Sequence, residues 1–255
     1  MVEKVTYIDG LYNFRDLGGM ETDSGHIAPG LLYRSEALAG LSERGREELE
    51  RSPVKLVLDL RADQEAAMLP DPDLKGIERV HIPMLDGAMP EDEGDIHSRV
   101  SQGKDAATLL HQTYLSLIVN NGEDYVDIVH RTAQAAAAGK GTLIHCSAGK
   151  DRTGTSVAFI LTLAGARREQ IVADYAASQA NLSGVWQQEM IDKIQQAGVE
   201  IPESIKPMMV ITPPELIEEI LDKVHDEYGS VGEYLLAHGG KQEDIDTIRQ
   251  ALRAD

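Results

Sequence analysis

Apolar residues gather in five short β-prone runs, at Val5 to Ile8, Leu31 to Arg34, Val54 to Leu60, Glu78 to Ile82 and Thr142 to His145. Runs such as Val54 to Leu60 are nearly continuous in hydrophobicity, the pattern of strands covered on both faces. Between the runs the spacing changes to that of helices. Ser42 to Glu50 predicts a helix with Ser42 as its N-cap and Ser52-Pro53 as its stop. Tyr125, Ile128, Val129, Thr132, Ala133 and Ala136 recur on one helical face, which should lie on the sheet, with Gly139 ending the helix. This alternation predicts an α/β fold: a mostly parallel central sheet flanked by helices. No internal repeat is visible. With 255 residues, 42% of them hydrophobic, the chain can bury one large core, and residues 1–255 are expected to form a single domain.

Two stretches do not fit the core pattern. Asp86 to Asp105 is acidic and polar, interrupted by Gly87, Pro90, Gly94 and Gly103, and reads as a long surface loop. Asn181 to Tyr234 is mostly helical but broken at Gly198, Pro202, Pro207 and Pro213-Pro214. There Trp186, Met190, Ile194, Met208, Met209 and Ile211 supply a soft apolar surface. Two readings stand for residues 181–234: an extra helical lid, or an ordinary helical extension of the core.

The formal net charge of −19 disfavours nucleic acid and anionic bilayers as partners. The opening Met1-Val2-Glu3-Lys4 begins no signal-like apolar run, and no stretch approaches about 18 apolar residues. A soluble protein is expected, with the cytoplasm as the default compartment and unconventional export left open. The single cysteine, Cys146, rules out an internal disulfide and any relay between paired thiols. The eight histidines show no metal-ligand spacing; His97, His111, His225 and His238 are scattered over loops and helices, so no metal and no cofactor is expected.

The chemistry concentrates between positions 145 and 154, His145-Cys146-Ser147-Ala148-Gly149-Lys150-Asp151-Arg152-Thr153-Gly154. The β-prone run 141–144 precedes it and the helix-competent stretch Thr155 to Gly165 follows. The segment therefore reads as strand, loop, helix, with Cys146 where the strand ends. Loop N–H groups curled about one point at a helix N-terminus make an anion site, and the same field favours a thiolate. Arg152 offers a planar fork for two phosphate oxygens. An ATP-binding P-loop is excluded, because Asp151 follows Lys150 and Ile144 stands where the first glycine should be.

This loop resembles the signature of the protein tyrosine phosphatase superfamily: His-Cys, five residues, Arg and a hydroxyl residue. The Lys150-Asp151 pair is similar to the atypical bacterial tyrosine and dual- or lipid-specificity phosphatases. Asn13-Phe14-Arg15-Asp16-Leu17-Gly18-Gly19, Leu32-Tyr33-Arg34-Ser35, Leu58-Asp59-Leu60-Arg61 and Ile171-Val172-Ala173-Asp174-Tyr175 extend the resemblance over most of the chain.

The resemblance implies hydrolysis of phosphate monoesters through a phosphocysteine. Cys146 is the expected nucleophile and Arg152 the phosphoryl clamp. Ser147, Ala148, Gly149 and Lys150 would hold the phosphoryl oxygens. Thr153 would donate to the sulfur or cap the following helix, and His145 would orient the loop. The general acid is either Asp86, after a strand end, or Asp151, inside the loop; each also has a reading as an ordinary turn or orienting residue. Lys150 is similar to a lysine that holds inositol rings in lipid phosphatases, although Ser147 stands where those enzymes place a second one. It would otherwise offset Asp151 and stay solvated. Arg15 is a candidate substrate-binding group. Arg34 and Arg61 read as structural, with Asp16 pairing to one of the arginines. Expected partners are a phosphorylated protein or a phosphoinositide, and phosphate or another oxyanion in the loop. A pseudophosphatase that binds phosphorylated partners without turnover, and a sulfurtransferase, are the competing readings.

Overall fold

The computed structural model describes residues 5–84, 106–196, 198, 200–203 and 206–254. In chain order it contains β1 (Arg15–Asp16), β2 (Glu21–Thr22), β3 (Gly25–Ile27), β4 (Leu32–Ser35), α1 (Glu43–Arg51), β5 (Val54–Asp59), α2 (Asp63–Met68) and β6 (Glu78–His81). Then come α3 (Ala106–Asn120), α4 (Gly122–Ala137), β7 (Gly141–His145), α5 (Arg152–Leu163), α6 (Arg168–Leu182) and α7 (Val185–Gln196). The chain closes with α8 (Pro214–Tyr228), α9 (Val231–Ala237), α10 (Gln242–Ala251) and β8 (Arg253–Ala254).

The main sheet runs β1-β4-β7-β5-β6, parallel throughout except for the antiparallel edge strand β1. Strand β7 is central and buried along its whole length. Its side chains alternate between two cores, as the period of two requires. Leu143 joins Ile8, Leu11, Phe14, Tyr33, Leu49, Val54 and Val57 on one face. Ile144 joins Leu58, Tyr125, Val157, Phe159 and Ile217 on the other. Helix α5, which follows the signature loop, is buried at every position but Thr162. A loop entering so buried a helix has little freedom of its own.

Four of the five predicted strands are present, with ends shifted by a residue or so. Ser42 caps α1 by accepting the Gly45 N–H at 2.9 Å, and Gly139, at φ 68°, follows α4. The run from Val5 to Ile8 is not a strand. Ile8 is buried in the second core, but its carbonyl accepts the Leu11 N–H across a turn at Asp9-Gly10. Gly10 has φ 88°, and a Cβ there would meet the Gly40 carbonyl at 2.4 Å, so the chain bends where a strand would have continued. A second sheet, β2-β3-β8, is antiparallel and joins the chain's last residues to its beginning. Strands of two or three residues are too short to leave a periodic signal. The expected loop from Asp86 to Asp105 lies outside the described residues.

Residues 181–234 do not act as one unit. Helix α8 sends Leu216, Ile217, Ile220, Leu221 and Val224 into the main core. Helix α7 instead puts Trp186 and Met190 into a separate small cluster with Leu182, Val210, Met209 and Ala148, while Met208 and Ile211 pack against the main core. Ala148 belongs to the signature loop. No helix among the described residues is long and apolar enough to cross a membrane.

Candidate active site

Cys146 emerges at the carboxyl end of β7 with only 2% of its surface exposed. The next five residues bend back into α5, whose first residue is Arg152. What shapes the bend is visible in its carbonyls. The Cys146 carbonyl meets His145 Nδ1 at 3.2 Å, and that of Ser147 accepts the Ala37 N–H at 3.1 Å. The Ala148 carbonyl accepts Asn13 Nδ2 at 3.1 Å, and that of Gly149 accepts Arg34 Nη2 at 2.7 Å. In a trans peptide the N–H points opposite to the C=O, and no cis bond is present among the described residues. Carbonyls taken up by these donors therefore turn the N–H groups of residues 147–150 away from them. That is the cradle an oxyanion needs. Gly149, at φ 68°, cannot be replaced cheaply: a Cβ would sit 2.0 Å from the Ser35 carbonyl.

Arg152 is buried and held from one side. Its Nη1 donates to Glu65 Oε2 at 2.6 Å and to the Leu60 carbonyl at 3.2 Å, and its Nη2 donates to Glu65 Oε1 at 2.9 Å. Burial works against the guanidinium's charge, but the hydrogen bonds and charge of Glu65 outweigh it, so the Arg152 pKa is raised. Burial likewise opposes the Glu65 carboxylate, and Arg152 with Ser147 reverses the balance and lowers its pKa. Glu65 also accepts the Ser147 hydroxyl at 2.5 Å and the Ala62 N–H at 2.9 Å, tying both ends of the loop to α2. Of the six buried side-chain polar atoms without a hydrogen-bond partner among the described residues, Arg152 Nε and Thr153 Oγ1 lie together at the start of α5. Unpartnered buried donors next to a cradle of N–H groups suit an anion. Thr153 makes no capping bond; the N-cap position of α5 is Asp151.

A second ring of charges supports the loop from behind. Asp174 on α6 pairs with Arg34 at 2.6 Å and with Arg15 at 2.5 Å. Arg15, expected among the substrate-binding groups, spends its remaining donors on Asn13, the Asp174 carbonyl and Ser178. Burial and the like charge of Arg34 depress it to about 10. Burial would raise Asp174, but the two arginines hold it below the usual carboxylate range. Asp16, expected to pair with an arginine, accepts the Gly18 and Gly30 N–H groups at 2.8 and 2.9 Å.

Beneath Cys146, Arg61 bridges Asp59 at 2.7 Å and Asp71 at 2.8 Å, and His145 Nε2 lies 3.1 Å from Asp71 without hydrogen-bond alignment. Asp59 is opposed by burial but brought down to about 2, chiefly by Arg61. Ligand atoms of Asp59, Asp71 and His145 lie within 4.8 Å of one another. The Arg61 guanidinium already supplies the cation there.

Lys150 and Asp151 are placed together. Lys150 Nζ donates to Asp151 Oδ1 at 2.7 Å and to the Ile211 carbonyl at 3.4 Å, and the lysine is buried rather than solvated. Asp151 Oδ1 also accepts the Tyr114 hydroxyl at 2.8 Å. Asp86 lies outside the described residues. The fold thus brings Cys146, Ser147, Ala148, Gly149, Lys150, Asp151, Arg152, Thr153 and His145 into one loop, and gives Arg15 to Asp174. Sequence reasoning missed Glu65, Asn13 as a loop ligand, the role of Asp174, and Tyr114. Glu65 follows Leu58-Asp59-Leu60-Arg61 by four residues, so proximity to that motif was its only signal.

A thiol and a clamped arginine across an N–H cradle, at the carboxyl end of a central parallel strand, define a cysteine-dependent phosphatase site. Residues 6–254 match the tyrosine phosphatase family, and the chain belongs to that family. It is 30% identical over 277 residues to the triple specificity protein phosphatase PtpB of Mycobacterium tuberculosis, covering 97% of this chain and 99% of that protein. A tyrosine-protein phosphatase of Nostoc commune is 29% identical over 157 residues, 60% of this chain and 50% of that protein. Among solved structures, TpbA of P. aeruginosa aligns with a TM-score of 0.35 at 15% identity, over 88% of this chain and 96% of that one. The protein is a phosphatase of the protein tyrosine phosphatase type.

Proposed function

We propose that the protein hydrolyses phosphotyrosine and other phosphate monoesters through a phosphocysteine. What supports this is the loop itself: four of its carbonyls are taken by surrounding donors, and Arg152 Nε and Thr153 Oγ1 are left without partners among the described residues. The Cys146 thiolate attacks phosphorus, forming the S–P bond as the P–O bond breaks and its electron pair leaves with the alcohol or phenol oxygen. That oxygen takes a proton from Asp151 or Asp86. Water then attacks phosphorus, gives its proton to the same carboxylate, and the S–P electron pair returns to sulfur. Thr153 Oγ1 donates to the departing sulfur. The cradle and Arg152 meet the charge that develops on the phosphoryl oxygens.

The resemblance of the loop brings phosphoserine, phosphothreonine and phosphoinositides into consideration as further substrates, and PtpB is itself named for triple specificity. We rank phosphotyrosine first, because Lys150 Nζ is committed to Asp151 and the Ile211 carbonyl rather than turned toward a polyanionic ring. The cover over Ala148, from α7 and the turn Lys206–Met209, is the part of 181–234 that serves as a water-excluding lid.

The test is phosphate release without added metal from a phosphotyrosine peptide, a phosphoserine peptide and phosphoinositides, with Cys146→Ser run alongside. Turnover lost in the variant supports the thiol mechanism, and the substrate ranking tests the assignment of Lys150. Tight binding without turnover by the wild type would move the reading to a phospho-binding module. Asp86→Asn and Asp151→Asn, compared on alkyl and aryl phosphates, identify the acid: its loss damages alkyl substrates more, since an alkoxide needs the proton.

A further inference from the structure

We infer that Tyr114, itself held by Tyr175, is the positioning residue for the Asp151 carboxylate and thereby governs how well the enzyme expels basic leaving groups. The inference rests on Asp151 being the proton donor of the reading above. Tyr114 comes from α3 and Tyr175 from α6, so neither belongs to the signature loop, and both are buried. Tyr114 donates to Asp151 Oδ1 at 2.8 Å, and the two tyrosine hydroxyls are 2.7 Å apart. A hydroxyl has one proton to give. With the Tyr114 proton on the carboxylate, that of Tyr175 must point to Tyr114, so the chain of donation runs from Tyr175 through Tyr114 to Asp151. Burial, followed by the nearby Asp151 charge, pushes both phenols above their ordinary range and keeps them neutral donors.

The surroundings fix this chain in place. The two rings meet edge to face, with centroids 6.1 Å apart and planes at 89°. In the first turn of α5, Gly154 lets Tyr175 lie flush against the helix that carries Arg152: a Cβ there would be 3.0 Å from Tyr175 Cδ2. Lys150 Nζ is the second donor on Asp151 Oδ1. Oδ2 takes no bond from a described residue, and the side chain is 18% exposed. One oxygen is clamped by two donors and the other is left to carry the proton. A flexible lysine alone would let the carboxyl plane turn; the tyrosine, anchored in the core, does not. An acid held in one plane delivers its proton along one direction, which is the geometric requirement for general acid catalysis.

The consequence depends on the leaving group. A 4-nitrophenoxide departs with little help, whereas a more basic phenoxide needs the proton in flight. The experiment is kcat/KM, which reports P–O cleavage, for phenyl phosphate and 4-nitrophenyl phosphate in wild type, Tyr114→Phe, Tyr175→Phe and Asp151→Asn, each checked by thermal melting. Tyr114→Phe is expected to lower the phenyl to nitrophenyl ratio by about tenfold. Tyr175→Phe should shift it in the same direction by less, and serves as the test should Tyr114→Phe not fold. Equal losses on both substrates, as a merely packing role would produce, overturn the inference. If Asp151→Asn lowers the ratio and neither tyrosine variant does, the inference fails while the assignment of Asp151 stands. If Asp151→Asn leaves the ratio unchanged, the assignment itself fails and the inference falls with it.

Discussion

Replacing Asp174 with asparagine tests the ring of charge behind the loop. The substitution keeps the side chain's shape and removes its charge. It leaves Arg15 and Arg34, whose side chains are 17% and 0% exposed, facing an amide whose NH2 is a donor like themselves. Breaking a buried ion pair on one side costs about 3–5 kcal/mol. For a domain of this size about 2–4 °C of melting temperature is lost per kcal/mol, so Tm should fall by about 6–20 °C.

The pH dependence has a definite sign. Asp174 is lowered in the fold, so its contribution is full above the free-chain value of about 3.9 and disappears as pH falls through the lower folded value. The Tm gap between wild type and Asp174→Asn should therefore be constant from neutral pH to about pH 5 and close only below about pH 4. Activity should fall as well, by about tenfold or more, because Arg34 Nη2 is what draws out the Gly149 carbonyl. Melting scans across pH, with kcat/KM on 4-nitrophenyl phosphate, make the measurement. A variant melting within about 2 °C of wild type at pH 7 would refute the reasoning, as would a gap that closes well above pH 5.

Two further substitutions probe the cradle. Glu65→Ala frees the Arg152 fork and should reduce kcat/KM on the order of 10²-fold, with a smaller Tm loss than Asp174→Asn because Glu65 is 20% exposed; full activity would show that Arg152 holds its place unaided. Gly149→Ala combines a left-handed backbone with a contact to the Ser35 carbonyl, so it should cost at least about 1–2 kcal/mol and most of the activity, and wild-type melting and turnover would refute the loop geometry.

Much of the site was legible because its chemistry is local. Cys146 and Arg152 lie in one turn between a strand and a helix, and the geometry of strand, loop and helix follows from neighbours along the chain. The family segments at 13–19, 32–35, 58–61 and 171–175 were visible too, but only as residues. What they do depends on contacts across the fold: Asn13 and Arg34 hold loop carbonyls more than a hundred residues away, Asp174 joins Arg15 to Arg34, and Arg61 lies between Asp59 and Asp71. Arg15 read as a candidate substrate group from its charge, and the pairing with Asp174 is visible only in the fold.

By itself, then, the sequence determined the α/β alternation, the two-sided burial of the central strands and the thiol–arginine loop, because hydrophobic period and short-range spacing are properties of neighbouring residues. The tertiary structure decided the rest. It gave Arg152 to Glu65 and Lys150 to Asp151, reached Asp151 with Tyr114 from α3, sent α8 into the core, and set α7 over Ala148. Each of these is a choice among several partners of suitable charge or apolarity. Only packing brings one of them to within about 3 Å, the range at which a hydrogen bond is made.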